Sequence, residues 1–166
     1  MVLPITKLPA AILRRPVVDV TFPLSKDIRR LLKDMVDTVI KADGIGLAAP
    51  QVSRNLNLAI IFLEHAGVPL FPIINPVIVS SSKETKVIEE GCLSLPGVFG
   101  KVTRPKKITF EYFNLQGEKQ TITDDDWIAR VAQHEIDHLL ATLIVDKFDA
   151  VTQGAELLPK YAEHKT

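Results

Sequence analysis

Two histidines, a glutamate and an aspartate interrupt an otherwise apolar stretch near the carboxyl end of the chain. The segment His134-Glu135-Ile136-Asp137-His138 lies within the run from Trp127 to Leu140, which is apolar on most sides and follows three aspartates at 124–126. The aspartates predict the start of a helix, because negative charge is favourable at a helix N-terminus. The apolar residues on most sides of the run predict that this helix is enclosed by other elements, with Trp127 in the core. Four ionisable side chains on a buried helix would be costly to satisfy without a cation.

The H-E-x-x-H spacing therefore indicates a metal site. Residues four apart on a helix lie on one face and one turn apart, so His134 and His138 can bind the same ion. Glu135 can reach a metal-bound water as general base. A catalytic site usually has a third protein ligand, and two candidates remain open at this point. They are Cys92, whose thiolate binds divalent metals strongly, and Glu156, which follows as in thermolysin-like enzymes.

Hydrophobic spacing in the rest of the chain predicts one further helix and several short strands. Apolar residues recur at helical spacing from Ile28 to Ile40, after a start at Ser25 or Asp27 and before a stop at Asp43-Gly44. Four strand-like runs follow, at 58–63, 71–79, 108–113 and 119–123, with a hairpin turn at 114–117. This order lacks regular strand–helix alternation, so we expect an α+β fold with antiparallel sheets packed around the central H-E-x-x-H helix.

Length and composition indicate one ordinary globular domain. The 166 residues are 46% hydrophobic and 24% charged, which excludes a disordered or fibrous protein; we expect one catalytic domain over 1–166, with a weakly helical tail at 146–166. Twenty basic and twenty acidic residues argue against direct sequence-specific nucleic-acid binding. No apolar run is long enough to span a membrane. The single cysteine, Cys92, excludes an intramolecular disulfide and favours a reducing, cytoplasmic location.

Two further segments contain candidate site residues. Cys92 lies between Gly91 and the Pro96-Gly97 turn, which predicts a tight loop that presents one side chain and free backbone N–H groups. Small residues dominate the segment 44–51 and would let another group approach the main chain closely. At its end, Gln51 offers amide donors that could hold a carbonyl oxygen or an oxyanion.

Together these three segments resemble the peptide deformylase family. The family's motifs G-x-G-x-A-A-x-Q, E-G-C-L-S and Q-H-E-x-D-H-L stand here, in the same order, at 44–51, 90–94 and 133–139. The resemblance extends over roughly residues 1 to 148, and it implies the same fold, with antiparallel strands around the H-E-x-x-H helix.

The resemblance also implies a ligand set and a base. Cys92, His134 and His138 would hold one divalent metal, most often Fe²⁺, with Zn²⁺, Ni²⁺ or Co²⁺ as alternatives. Glu135 would act as general base and then as general acid.

The implied reaction is hydrolysis of the formyl group of N-formyl-methionyl nascent peptides, which releases formate. Gln51 and the backbone N–H of Leu93 would form the oxyanion site. The residues expected to bind substrate are Gly44, Ile45, Gly46 and Val131. Of these, Ile45 and Val131, together with the His134 ring, would line an apolar pocket for the methionine side chain. A transient ribosome contact is compatible with this substrate, and the expected location is the cytoplasm of a bacterial-type cell, with an organelle as the alternative.

Two positions depart from the family's pattern. Ala141 replaces a usual glycine and would alter how the helix ends, and Phe99 stands where many bacterial members have arginine or tyrosine. Glu90 is a candidate to orient the cysteine loop, through Arg104. Two rival hypotheses are a metallopeptidase that uses Glu156 as third ligand and a non-catalytic homologue that binds nascent chains.

Overall fold

Two antiparallel sheets account for the eight strands in the computed structural model, which describes residues 1–162. The strands are β1 (Gly46–Ala48), β2 (Leu58–Leu63), β3 (Val68–Ser81), β4 (Thr85–Gly91), β5 (Phe99–Pro105), β6 (Ile108–Phe113), β7 (Lys119–Asp124) and β8 (Phe148–Gln153). The larger sheet has the order β1-β2-β3-β6-β7, and the smaller has the order β4-β5-β8. The predicted α+β class is confirmed.

Helix α1 (Lys26–Lys41) forms where the apolar spacing predicted it. The Ser25 side chain accepts a hydrogen bond from the Ile28 N–H at 3.2 Å, which satisfies one of the free donors of the first turn. The helix stops before Asp43, whose φ of 53° is left-handed, and the Gly44 N–H donates to the Val39 carbonyl at 2.9 Å.

The larger sheet separates two hydrophobic layers because successive side chains of a strand point to opposite faces. On β2, Leu58 and Ile60 pack with the apolar stripe of α1. Ala59 and Ile61 face the other way and pack with the residues of the second helix. Both helices are thus fixed against one sheet.

That second helix, α2 (Trp127–Leu139), carries the H-E-x-x-H motif and is largely buried, as predicted. The Asp124 carboxylate accepts hydrogen bonds from the N–H groups of Asp126 and Ala129, at 2.9 and 2.8 Å, which confirms the aspartates as the helix start. Trp127 was expected in the core, but it is 41% exposed, because it lies at the first turn, where its ring contacts His65 edge-on.

The smaller sheet differs most from the sequence-based expectation. Its three strands were not predicted, and β8 occupies part of the stretch 146–166 that was expected to be a weakly helical tail. After β8 a helical turn at Ala155–Leu157 continues into α3 (Leu158–Tyr161), and the last four residues of the predicted tail lie outside the described residues. Within 1–162, no helix has the length and apolar character that a membrane span requires.

Candidate metal centre and catalytic site

Helix α2 and the loop after β4 bring three potential metal ligands together. His134 and His138 lie on one face of α2, with ring centroids 5.1 Å apart. Cys92 follows the last residue of β4, and its Sγ lies 3.3 Å from His138 Nε2. The ligand atoms of all three residues lie within 4.8 Å of one another. Glu156, the other candidate ligand, is exposed and lies outside this cluster.

The donor set fits a tetrahedrally coordinated divalent metal. Metal–sulfur and metal–nitrogen bonds of about 2.3 and 2.0 Å, at a tetrahedral angle, place the two ligand atoms about 3.5 Å apart. The separation of 3.3 Å between Cys92 Sγ and His138 Nε2 is close to that value. Two imidazoles and one thiolate leave a fourth position open for water or substrate.

Charges at the site favour the ligand form of the cysteine. Burial alone raises the pKa of the Cys92 thiol, but the imidazoles of His138 and His134 outweigh burial and lower it well below its ordinary value. Conversely, burial lowers the pKa of His134, while Cys92 and Glu90 raise it well above its usual range. The site therefore stabilises the thiolate, which is the form that binds a metal.

Glu135 is buried against the backbone of β1. It is 3% exposed, and its Oε2 has no hydrogen-bond partner among residues 1–162. Burial raises the pKa of Glu135 to about 7, although the neighbouring His134 and His138 oppose that rise. A Cβ atom on Gly46 would lie 2.4 Å from Oε1 of Glu135, so only glycine leaves room for this carboxylate. The sequence suggested a close approach at 44–51 but did not identify the group that approaches.

Gln51 is held beside the cysteine by hydrogen bonds at both ends of its amide. Its Oε1 accepts from the Ala48 N–H at 2.9 Å. Its Nε2 donates to Ser94 Oγ at 3.2 Å and lies 3.5 Å from Cys92 Sγ. This arrangement directs the amide donors towards the cysteine loop, in which Leu93 directly follows Cys92. The Leu93 side chain packs on the α1 side of the larger sheet.

The residues expected to bind substrate differ in burial and in the groups that they contact. Ile45 is exposed, and its carbonyl accepts from the Phe62 N–H at 2.8 Å. Val131 is 3% exposed and belongs to the core between α2 and the larger sheet. Gly44 lies against Leu93, since a Cβ atom there would be 3.0 Å from Leu93 Cδ1.

A buried network of charged side chains lies next to the candidate ligand His134. Glu90 accepts from Arg104 through two bonds of 2.8 and 3.0 Å and lies 3.1 Å from His134 Nδ1. Arg104 also donates to Asp137 at 2.6 Å. Despite its burial, Glu90 has a pKa of about 2, because His134 and Arg104 stabilise its charged form. The pairing of Glu90 with Arg104 was anticipated, whereas its contact with His134 was not.

The network contains one residue that sequence reasoning missed. Arg130 Nε lies 2.5 Å from Glu90 Oε1, and Arg130 is buried although arginine on a helix usually indicates a solvated face. A signal was present, since Arg130 precedes His134 by four residues and therefore lies on the same helix face.

Comparisons with known proteins agree with this geometry. Residues 2–154 match the family model described as polypeptide deformylase. A peptide deformylase of Chlorobaculum parvum is 47% identical over 130 residues, which are 76% of this chain and 69% of the relative. One of Synechocystis is 41% identical over 151 residues, or 90% of this chain and 80% of that one.

Solved structures of peptide deformylases are also similar to this chain. A peptide deformylase from Synechococcus elongatus in complex with actinonin superimposes with a TM-score of 0.83 at 35% identity, covering 96% of this chain and 83% of that one. The Thermotoga maritima peptide deformylase gives a TM-score of 0.84 at 34% identity, over 90% of this chain and 99% of that one.

Proposed function

Because the chain belongs to the peptide deformylase family, which removes N-terminal formyl groups from nascent peptides, we propose that Cys92, His134 and His138 hold its catalytic metal. The family is metal-dependent, and the clustering of these three side chains is the observation that carries the proposal. The stabilised thiolate supports it. The contact between His134 Nδ1 and Glu90 also supports it, because a metal-binding histidine usually donates a hydrogen bond from its other ring N–H to a carboxylate or carbonyl.

The proposed metal is Fe²⁺, with Zn²⁺, Ni²⁺ and Co²⁺ as alternatives. Two imidazoles and one thiolate accept all four ions, and the order of intrinsic affinities does not decide which one is bound. Bound at this site, a divalent metal would supply Lewis-acid activation of the formyl carbonyl and of water.

Glu135 is the proposed general base and acid. It is adjacent to the ligand His134, it is buried, and its Oε2 is free of hydrogen bonds within residues 1–162. Its carboxylate accepts the proton of the attacking water and then returns it to the amine that leaves, giving formate and a free N-terminus.

The proposed oxyanion site consists of the Gln51 amide and the backbone N–H of Leu93. Gln51 Nε2 lies 3.5 Å from Cys92 Sγ, and Leu93 directly follows that cysteine, so both donors lie beside the proposed metal. Donors that are held in place before the reaction stabilise developing negative charge without reorganisation.

We further propose one catalytic domain over 1–166 that acts on N-formyl-methionyl nascent chains in the cytoplasm, with a transient ribosome contact. The residues proposed to bind the substrate are Gly44, Ile45, Gly46 and Val131. The reduced thiol required at Cys92 supports a reducing compartment.

Formate release from a short N-formyl-methionyl peptide tests the reaction, with protein purified without oxygen and its metal content determined by elemental analysis. We expect iron in the purified protein and rapid formate release. Glu135→Gln should retain the metal and lose activity by at least about 10²-fold. Metal-loaded wild-type protein that releases no formate would overturn the proposal.

Two further variants test the ligand set. Cys92→Ala should lose the metal, whereas Glu156→Gln should keep both metal and activity because Glu156 is exposed and outside the cluster. The reverse result would favour a metallopeptidase in which Glu156 is the third ligand.

A further inference from the structure

Helix α2 and the β4 segment contact each other at three evenly spaced points. Each point joins a helix residue to a residue of β4 or to the residue just after it: Arg130 Nη2 to Ile88 O (3.3 Å), His134 Nδ1 to Glu90 Oε2 (3.1 Å) and His138 Nε2 to Cys92 Sγ (3.3 Å).

The even spacing follows from backbone geometry. Successive points are four residues apart on the helix, which is a rise of about 6 Å. They are two residues apart on the strand, which is a rise of about 6.6 Å. Because the two steps nearly match, the helix and the strand stay aligned over all three points. A contact that fixes their alignment at the first point therefore also fixes it at the third. The third point is the proposed metal site.

Arg130 makes the first contact with the backbone rather than with a side chain. Its Nη1 donates to the Lys86 carbonyl at 2.9 Å, and its Nη2 donates to the carbonyls of Ile88 and, on β5, Val102, at 3.3 and 2.5 Å. The strand β4 is at the edge of the smaller sheet, so one side of its backbone has no neighbouring strand in that sheet. The planar guanidinium spans two carbonyls of that strand, which a single ammonium group would not span.

Arg130 also reaches the second contact point. Its Nε lies 2.5 Å from Oε1 of Glu90, the carboxylate whose other oxygen contacts His134. The guanidinium is buried, and its hydrogen bonds therefore act in a medium where they are stronger than in water. One side chain thus restrains both the strand that leads to Cys92 and the carboxylate that orients a histidine.

We propose that Arg130 is a positioning residue for the metal centre, which sets the separation between Cys92 and the two histidines by fixing β4 in register with α2. The inference rests on the proposed ligand set of Cys92, His134 and His138. It predicts that loss of the guanidinium changes the geometry of the bound metal, in addition to any effect on folding.

The Co²⁺-loaded protein provides the test, since its absorption spectrum reports both thiolate ligation and ligand geometry. Arg130→Met should shift the ligand-field bands, weaken Co²⁺ binding in a chelator competition by about 10- to 100-fold and lower kcat more than it changes KM. Arg130→Lys keeps a charge near Glu90 but cannot hold two carbonyls, so its effect should be several-fold and in the same direction.

Gln133→Met is the matched control. Gln133 is also buried on α2, and its Nε2 donates to the Pro105 carbonyl at 3.0 Å, but it is not part of the three-point contact. This variant should unfold at a lower temperature while it keeps the wild-type spectrum and Co²⁺ affinity.

The outcomes separate this inference from the ligand assignment. A wild-type protein without a thiolate-to-cobalt charge-transfer band would overturn the ligand set itself. If that band is present and Arg130→Met folds with wild-type bands and affinity, the ligand set stands and the positioning role of Arg130 is overturned. If Arg130→Met does not fold, wild-type bands and affinity in Arg130→Lys overturn it equally.

Discussion

Gly46 and Glu135 are in direct contact across the interface between β1 and α2: a Cβ atom on Gly46 would lie 2.4 Å from Oε1 and 2.8 Å from Cδ of the glutamate. The end of a side chain moves more easily than a backbone. Gly46→Ala should therefore displace the carboxylate and leave the fold intact. Because misplacement of a reacting group by about 1 Å costs about 10²-fold, kcat for formate release should fall by roughly that factor. Metal content, measured in the same samples, should not change.

Gly67→Ala provides a control for this experiment. Gly67 has a φ of 71° in a surface turn, and no atom lies within 4 Å of the added Cβ. The strained backbone should lower the unfolding temperature, whereas kcat should stay at the wild-type value. A wild-type kcat in Gly46→Ala would contradict the role proposed for Glu135.

Glu90→Gln should weaken metal binding, because the neutral amide no longer balances Arg104 and Arg130 and no longer orients His134 as a charged acceptor. Supporting residues of this kind usually contribute 10- to 100-fold in metal affinity, so we expect an increase of about that size in the metal Kd. Chelator competition measures it. Unfolding should also occur at a lower temperature, since removal of one partner from a buried ion pair is strongly destabilising.

Glu89→Gln, one residue earlier on β4, removes the same charge at a different place. Glu89 is exposed and accepts a hydrogen bond from Thr152 at 2.6 Å, without contact to the histidines. Its metal Kd should equal that of the wild type. Equal Kd values for the two variants would show that Glu90 does not support the site.

Asp146 should contribute stability that depends on pH. The Arg14 guanidinium, whose Nη2 lies 3.0 Å from Asp146 Oδ1, lowers the pKa of this carboxyl below its ordinary value of 3.8, and the N–H of Leu143 acts in the same direction. A carboxyl with a lowered pKa stabilises the fold above its unfolded-state pKa and loses this contribution as the pH falls through the folded-state pKa.

Thermal unfolding of Asp146→Asn, measured from about pH 7 down to about pH 3, checks this sign. The pair is half-exposed and screened by solvent, so the variant should unfold about 1 to 2 °C lower at neutral pH. The difference should shrink as the wild-type carboxylate becomes protonated. A difference that stays constant over this pH range would contradict the expectation.

The elements that sequence spacing predicted are those with one continuous apolar face. The apolar stripe of α1 packs on the larger sheet, and β2 and β6 are strands of that sheet. The bounds of all three elements match the predicted runs closely. In contrast, the buried positions of β5 are Gly100, Val102 and Arg104. Glycine indicates a turn and arginine indicates a solvated surface, so the alternation of this strand could not be recognised from residue type.

Prediction of the site is limited in the same way, because residue type and spacing do not show which distant neighbours a side chain contacts in the fold. His134, His138 and Glu135 occupy a motif whose spacing carries its chemistry, and Cys92 stands out as the single thiol. Arg130 is buried among backbone carbonyls of the smaller sheet and beside the Glu90 carboxylate, and these neighbours are distant in sequence. Contacts of this kind depend on how the two sheets pack, which spacing along one helix does not contain.

Ala141, the departure from the family's usual glycine, adopts a left-handed φ of 56° directly after α2. The Thr142 N–H donates to the Asp137 carbonyl at 2.8 Å and the Ala141 N–H donates to the His138 carbonyl at 3.2 Å, which is the Schellman end of a helix. An L-residue with a side chain pays a steric cost at this position, and glycine does not.

Ala141→Gly should therefore stabilise the protein by about 1 kcal/mol, which raises the unfolding temperature by about 2 to 4 °C for a chain of this size. Differential scanning calorimetry measures the shift. Ala42→Gly is the matched control, because Ala42 ends α1 with an ordinary right-handed φ of −84°, where glycine relieves nothing and adds freedom to the unfolded chain. Ala42→Gly should lower the unfolding temperature, and a decrease in both variants would show that the backbone at Ala141 is not strained. Since Ala141 follows both histidines of α2, metal content should be the same in all three proteins.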